Sequence, residues 1–303
     1  MSNELPKIIA VIGTNASGKS AIGIELAKTF NGEIISADSR QVYKGFDLCC
    51  GKVTPEEAQI VPHHLLDIRD IGEDFSAFDF QQMTYSLIPQ ILHRGKIPFI
   101  VGGTGEYVRS VVDGFTFSKR PPDLALRGKL DKLSVEELQA MLTPEAKAFF
   151  ASKPSEFKNK RRLIGAIEKA AHGEPLSYEN VAKYNVLQLG VTWPKEILHK
   201  RIEERLESRI SQGMLDEVKV YLDKGGSRVF LARLGLEYKY ILRYLTGDIK
   251  SQEEFKIVMA QKIKQFARRQ MTWFKKDNTV HWIDMNSDYL AQAKALITEF
   301  LAR

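Results

Sequence analysis

The chain has 303 residues, 44% of them hydrophobic and 27% charged, with a formal net charge of +6. That length can bury a substantial core, as one large or two smaller domains, and the composition is that of a globular protein. No stretch approaches the roughly 20 apolar residues of a membrane span, and the beginning carries no apolar signal core. The two cysteines, Cys49 and Cys50, are adjacent, which excludes a disulfide framework and half a zinc site. A cytoplasmic chain with no membrane partner is expected. The modest basic excess suits a polyanionic partner and does not bear on fold.

In chain order, the apolar run Ile8–Ile12 leads into Gly13, four further residues and Gly18-Lys19-Ser20, and an amphipathic stretch follows through Phe30. This is the phosphate-loop pattern G-x-x-x-x-G-K-[ST] between a strand and a helix. Gly13 and Gly18 allow backbone conformations in which successive N–H groups converge on one anion, and the helix beginning near Lys19 points its positive end there. Gly13, Thr14, Asn15, Ala16, Ser17, Gly18, Lys19 and Ser20 are therefore expected to hold a polyphosphate. Lys19 brings a mobile charge, and the Ser20 hydroxyl a ligand for phosphate-bound Mg²⁺.

Further strands are expected at Glu33–Ser36, His64–Ile68, Ile97–Val101, Leu187–Trp193 and Val280–Ile283, with helices at Lys19–Phe30 and Phe78–Arg94 between the early ones. Such alternation predicts a parallel sheet. After the break at Lys119-Arg-Pro-Pro122 the pattern becomes wholly helical, at Asp123–Leu133, Ser134–Leu142, Pro144–Ser152 and Phe157–His172. Ser134-Val-Glu-Glu137 fits a capping box. Beyond Pro194 lies a long helical region with Arg201, Arg205 and Arg209 on one face, then Met214–Leu222, Phe255–Lys276 and Asp288–Leu301. The fold class is α/β, a P-loop-type parallel sheet flanked by helices with an all-helical insertion. The expected core is 1–117 with 186–303, and the insertion 118–185.

Two more stretches bear on the phosphate site. Asp38, just past the second strand, should lie at the carboxyl edge of the sheet beside the phosphate loop. There a carboxylate serves either as a water-mediated Mg²⁺ ligand or as a proton acceptor, and the plain alternative is a helix cap. Arg40 is a phosphate partner or a surface charge. Ile100-Val-Gly-Gly-Thr-Gly-Glu-Tyr107 repeats the strand-to-small-residue-to-helix idea, and Thr104 presents a hydroxyl at the same edge. Lys158-Asn-Lys-Arg-Arg162, Lys119-Arg120, Arg127 and the helix Phe255–Lys276, which has seven Lys and Arg and no acid, read either as solvated faces or as a nucleic-acid footprint. Gln270 interrupts the apolar stripe of that helix. His63 and His64 read as packed or capping residues more than as metal ligands.

Gly13–Ser20, Ser36–Tyr43, Val61-Pro-His-His-Leu-Leu-Asp67 and Gly95–Gly105 together resemble the tRNA dimethylallyltransferases, also called tRNA isopentenyltransferases. Gly173–Ser177, the run from Arg201 and Arg205 to Gly213 and Glu217, and Ala267–Phe274 extend the resemblance from about residue 7 to 284. It implies transfer of a dimethylallyl group from dimethylallyl diphosphate to the N6 amine of the adenosine 3′ to a tRNA anticodon. The phosphate loop and Arg205 would hold the diphosphate with Mg²⁺, while Asp38 and Thr104 would act at the reacting amine. The resemblance also implies tRNA contacts from Asp38, Ser39, Arg40, Gln41 and Thr104, and from Arg127, Arg161, Arg162, Leu163, Ile164, Gly165, Arg268 and Arg269. Glu106, Gly165, Leu236, Lys264 and Phe266 depart from the family pattern. No zinc-finger spacing is present, as in the bacterial form, and a monomer is expected. The alternatives are an isopentenyltransferase acting on free adenylate and a P-loop kinase for a small molecule.

Overall fold

The computed structural model describes residues 4–118 and 120–303. Lys119, counted above among the basic residues, lies outside them, as do residues 1–3.

Ile8, Ile9, Ala10 and Val11 are fully buried and Ile12 is 1% exposed, so this strand has no polar face. A continuous apolar run of that kind belongs inside a parallel sheet covered on both sides. The strands are β1 (Lys7–Gly13), β2 (Gly32–Ser36), β3 (His63–His64), β4 (Ile97–Gly102), β5 (Asn185–Thr192) and β6 (Val280–Asp284). They form one sheet in the order β3-β2-β4-β1-β5-β6, every neighbouring pair parallel. One face packs against helices Lys19–Thr29 and Tyr289–Ala302 through Ile9, Val11, Leu26, Phe99 and Ile297. The other packs against Ala77–His93 and Gly105–Val112 through Ile8, Ala10, Phe80, Ile88 and Val108. A further apolar core, around Phe46, Tyr238, Phe255 and Met259, gathers the helices Lys195–Ser211, Met214–Asp223, Leu236–Leu245 and Gln252–Phe274.

Register decides where the chemistry sits. Ile12 of β1 opposes Gly102 of β4, and Val101 of β4 opposes Ser36 of β2. The three strands therefore end level with one another. The loops that follow them, carrying Lys19, Asp38 and Thr104, leave the sheet on one edge, as open parallel sheets dictate.

The described residues divide into two compact units, 1–112 with 182–303, and 113–181. The division falls earlier than the expected 118 and 185, because the Val181 amide donates to Gly114 O at 2.9 Å and Thr116 Oγ1 to Glu179 O at 2.7 Å. The smaller unit is wholly helical, with Leu130, Leu138, Phe150 and Leu163 in its core. Its Ser134–Glu137 capping box is present. The helix expected over Phe157–His172 is instead two, Pro154–Phe157 and Lys160–Ala171, since the Asn159 side chain caps the amides of Arg161 and Arg162 at 3.1 and 3.4 Å.

The third strand is also shorter than the expected His64–Ile68. Leu65 and Asp67 have φ of +63° and +53°, which no strand accommodates, and the chain turns to donate Asp67 N–H to Gln41 O and Arg69 N–H to Val42 O. The two histidines pack, as expected of them. His63 Nδ1 lies 2.7 Å from Val61 O, and His64 Nε2 lies 2.7 Å from Glu33 Oε2.

Glu33 is the buried acid of β2, 3% exposed, and Arg94 grips it with Nε at 3.0 Å and Nη2 at 2.6 Å. The Arg94 hydrogen bond, against the cost of burial and with help from His64, holds its carboxyl at about 2, down from 4.5. Its contribution to stability is therefore present above pH 4.5 and is lost as pH falls towards 2. Glu33→Gln should cost about 2 kcal/mol at neutral pH, a figure reduced for the solvent around half-exposed Arg94. Urea unfolding of both proteins across that acid range checks it. The difference between them should shrink as pH falls, and a constant difference would refute the assignment.

Candidate active site

The phosphate loop takes its shape from two left-handed residues, Ala16 at φ +60° and Gly18 at φ +88°. Gly18 accepts this freely; Ala16 does so at a cost, and its neighbours hold it there. Arg201 Nε donates to Ala16 O at 3.0 Å, and Trp193 Nε1 to Ser17 O at 2.9 Å. The Arg201 guanidinium lies over the Trp193 ring, 4.7 Å from its centroid. Gln270 Oε1 accepts the Asn15 amide at 2.9 Å. With its carbonyls tied from behind, the loop is a preformed cradle. Ser17 Oγ is buried in it without a hydrogen-bond partner.

Lys19 opens the helix that follows and is 9% exposed, its Nζ 3.4 Å from Thr14 O. Burial lowers it to about 8; Asp38 opposes that shift, while Arg205 and Arg209 add to it. Arg205 is likewise lowered to about 10, chiefly by burial and then by Arg209. Its Nη2 reaches Gly51 O at 3.4 Å. A cavity of about 430 Å³ opens here, lined by Lys19, Ser20, Gly51, Arg201, Glu204 and Arg205. Several cations crowded into a buried pocket repel one another, and an anion with two or more charges relieves that repulsion.

Asp38 lies close enough to bear electrostatically on both Lys19 and Arg205. Its Oδ1 accepts the Arg40 amide at 2.9 Å, which fixes the carboxylate by a short-range turn. Thr104 Oγ1 accepts the Ser39 amide at 3.0 Å, and the Thr104 amide donates to Ala37 O at 3.1 Å, so the loops after β2 and β4 are stitched together. Gly103 brings this pair against the lysine: a Cβ built there would come within 3.3 Å of Lys19 Cε. The loops carrying Lys19, Asp38 and Thr104 thus meet at one edge of the sheet, and Arg205 lines the cavity beside Lys19.

The other expected site residues are placed as follows. Gln41 is buried and structural in its contacts: it accepts from Ser36 Oγ at 2.9 Å and donates to Gly51 O at 3.1 Å. Arg40 Nη1 donates to Ser39 Oγ at 3.0 Å. In the helical unit, Arg127 is paired with Glu168 Oε2 through Nε at 2.9 Å and Nη2 at 2.6 Å. Leu163 and Ile164 are 0% and 7% exposed, their side chains in that unit's core, whereas Arg161 and Arg162 are exposed. Arg268 and Arg269 are exposed on helix Gln252–Phe274. Two other bases of that helix face acids of Lys195–Ser211: Lys256 meets Glu207 at 2.8 Å and Lys264 meets Glu203 at 2.5 Å. Its basic character is therefore partly neutralised and is concentrated towards its end.

Sequence reasoning did not assign site roles to Trp193, Arg201, Gln270 or Glu237. Arg201 precedes Arg205 by one helical turn, and Gln270 was visible as a polar break in an apolar stripe. Glu237 had no such mark. Burial raises its carboxyl, with Arg209 and Arg40 opposing, and it lines a narrow cleft with Asn15, Arg205 and Arg209. Among the described residues no group of three or more His, Cys, Asp or Glu is placed to hold a metal ion, and no helix is long and apolar enough to cross a membrane.

A parallel sheet, a phosphate loop and a carboxylate facing that loop's lysine define a P-loop α/β enzyme. Residues 41–277 match the family model described as IPP transferase. The chain is 40% identical to tRNA dimethylallyltransferase 2 of Shewanella sediminis over 96% of its own length and 98% of that protein's. It is 39% identical to the tRNA dimethylallyltransferase of Carboxydothermus hydrogenoformans, over 97% of each. The crystal structure of the full-length tRNA isopentenylpyrophosphate transferase from Bacillus halodurans superposes with a TM-score of 0.71 at 34% identity, covering 98% of this chain and 95% of that one. The chain belongs to the IPP transferase family, that of the tRNA dimethylallyltransferases.

Proposed function

We propose that the protein transfers the dimethylallyl group of dimethylallyl diphosphate to the N6 amine of the adenosine 3′-adjacent to the anticodon in a tRNA, releasing diphosphate. The observation that carries this reading is the crevice itself, in which buried Lys19 feels the charges of both Arg205 and the carboxylate of Asp38. The loop amides, the Ser17 hydroxyl, Lys19 and Arg205 bind the donor's diphosphate. In the transfer, the bond from the allylic carbon to the diphosphate oxygen breaks and its electron pair leaves with diphosphate, where the cations meet the growing charge. The bond from N6 to that carbon forms, and the amine proton passes to Asp38. An aryl amine is a weak nucleophile, so the stitched Ser39 and Thr104 loops earn much of the rate by holding it in line.

Magnesium fits this site through Ser20, a hydroxyl-bearing residue that lines the cavity beside Lys19. With no carboxylate cluster among the described residues to encage it, the ion would rest on Ser20, the diphosphate oxygens and water, the usual preference of Mg²⁺. When bound, it would neutralise charge on the leaving group. The target base leaves its stack to enter the crevice. Arg40 with Ser39 at the crevice, exposed Arg161 and Arg162 beside Gly165 on the helical unit, and Arg268 with Arg269 bind the surrounding anticodon stem-loop.

The test is incubation with Mg²⁺ and labelled dimethylallyl diphosphate, offering unmodified tRNA and AMP together, and in parallel with labelled ATP. Nucleoside mass analysis should find one dimethylallyl unit on adenosine of the tRNA. Label on AMP, or phosphoryl transfer from ATP to any acceptor, would replace this reading with one of its rivals.

A further inference from the structure

We infer that Gln270 is a positioning residue that couples RNA docking on the helix Gln252–Phe274 to the grip of the phosphate loop on diphosphate. Its side-chain amide uses both ends. Oε1 accepts the Asn15 amide of the phosphate loop at 2.9 Å, and Nε2 donates to Gly103 O of the loop after β4 at 2.9 Å. It is 9% exposed, in an otherwise apolar stripe made by Met259, Ile263, Ala267 and Phe274. A buried polar side chain in such a stripe is costly unless its partners are specific, and here they are the two loops that form the crevice. The Asn15 amide is thereby committed to Gln270, which leaves the later amides of the loop to face the anion.

Three residues further along the same helix, Trp273 lies flat enough on Gly105 that a Cβ there would overlap its indole nitrogen, so this helix touches the second loop twice. The neighbouring positions turn outward. Arg268, Arg269, Thr272 and Lys276 line an open groove of about 440 Å³ floored by Trp273, a basic surface with an aromatic for a nucleic-acid strand. A strand seated in that groove bears on a helix whose inner face is hydrogen-bonded to both loops. Any rotation or slide of the helix moves the Asn15 and Gly103 contacts together. Linkage then requires that diphosphate in the loop alters RNA affinity by the same factor as RNA alters diphosphate affinity.

The inference rests on the proposed function for the identity of the two ligands, and the test separates them. Inorganic pyrophosphate with Mg²⁺ is titrated into the full chain, alone and with saturating anticodon stem-loop RNA, and RNA is titrated with and without pyrophosphate. In the unaltered protein each ligand should tighten the other by at least about 5-fold, within the common range of coupling. In Gln270→Leu the coupling should fall to about 1-fold, while RNA bound alone changes by less than about 2-fold. In prenyl transfer, the donor KM should rise more than the tRNA KM. Gln270→Glu keeps the volume and the acceptor for Asn15 but removes the donor to Gly103 O; it should fold and retain only part of the coupling. Independent binding in the unaltered protein, or undiminished coupling in Gln270→Glu, would overturn the inference. Should Gln270→Leu fail to fold, the Glu variant decides alone. A protein that binds both ligands cooperatively yet transfers no dimethylallyl group would overturn the proposed function and leave the coupling standing.

Discussion

Asp38→Asn is expected to slow prenyl transfer by roughly 100- to 10,000-fold, the usual worth of a positioned proton acceptor. The substitution is nearly isosteric, and its remaining oxygen still accepts the Arg40 amide that holds the loop. What it removes is the negative charge near Lys19 and, on the proposed mechanism, the acceptor of the amine proton. Binding of pyrophosphate and of RNA should change only a few-fold. Single-turnover rates at saturating donor and tRNA measure the chemical step directly. A variant that lost RNA binding as completely as rate would show that Asp38 builds the loop and takes no part in the chemistry.

Lys19→Met should reduce kcat/KM for dimethylallyl diphosphate by roughly 100- to 1,000-fold, as loss of one charge-stabilising donor at a leaving group does. Its signature is in the pH dependence. Burial, reinforced by Arg205 and Arg209, lowers Lys19 to about 8 in the free protein. A bound diphosphate favours the charged lysine, so binding above that pH must take up a proton. With the ligand's own ionisation accounted for by comparison with Lys19→Met, the Lys19 contribution to pyrophosphate affinity should therefore be nearly flat below about pH 8 and weaken by roughly tenfold per pH unit above it. In Lys19→Met this Lys19-linked weakening should be absent and the affinity low throughout. Calorimetry in buffers of different ionisation enthalpy counts the proton. The same pH dependence in the unaltered protein as in Lys19→Met would mean that Lys19 does not face the anion.

Much of this was legible in the residues because local rules carry it. A run such as Ile8–Ile12 with no polar alternation is a buried parallel strand, and the glycine spacing after it fixes a phosphate loop. The level ends of β1, β2 and β4 then bring Lys19, Asp38 and Thr104 to one edge without further information. What the residues did not disclose depends on long-range contacts. Gln270 lies 255 positions from Asn15, so nothing in its own neighbourhood distinguishes a loop clamp from a misplaced polar residue. Strand β3 stops at His64 because the chain turns at Leu65 and Asp67, and Asp67 and Arg69 then pair with the stretch after β2, a tertiary preference that overrides an apolar pattern. Arg127 and Lys264 look alike as positive charges in a sequence, yet each has an acidic partner that only the fold supplies.

The measurement closest to the heart of this account is a structure of the protein bound to pyrophosphate, Mg²⁺ and an unmodified anticodon stem-loop. The phosphates should lie in the loop between Lys19 and Arg205, with the extruded adenine's N6 within hydrogen-bonding distance of an Asp38 oxygen. Pyrophosphate seated outside the loop, or an adenine whose amine is held by other groups far from Asp38, would contradict it.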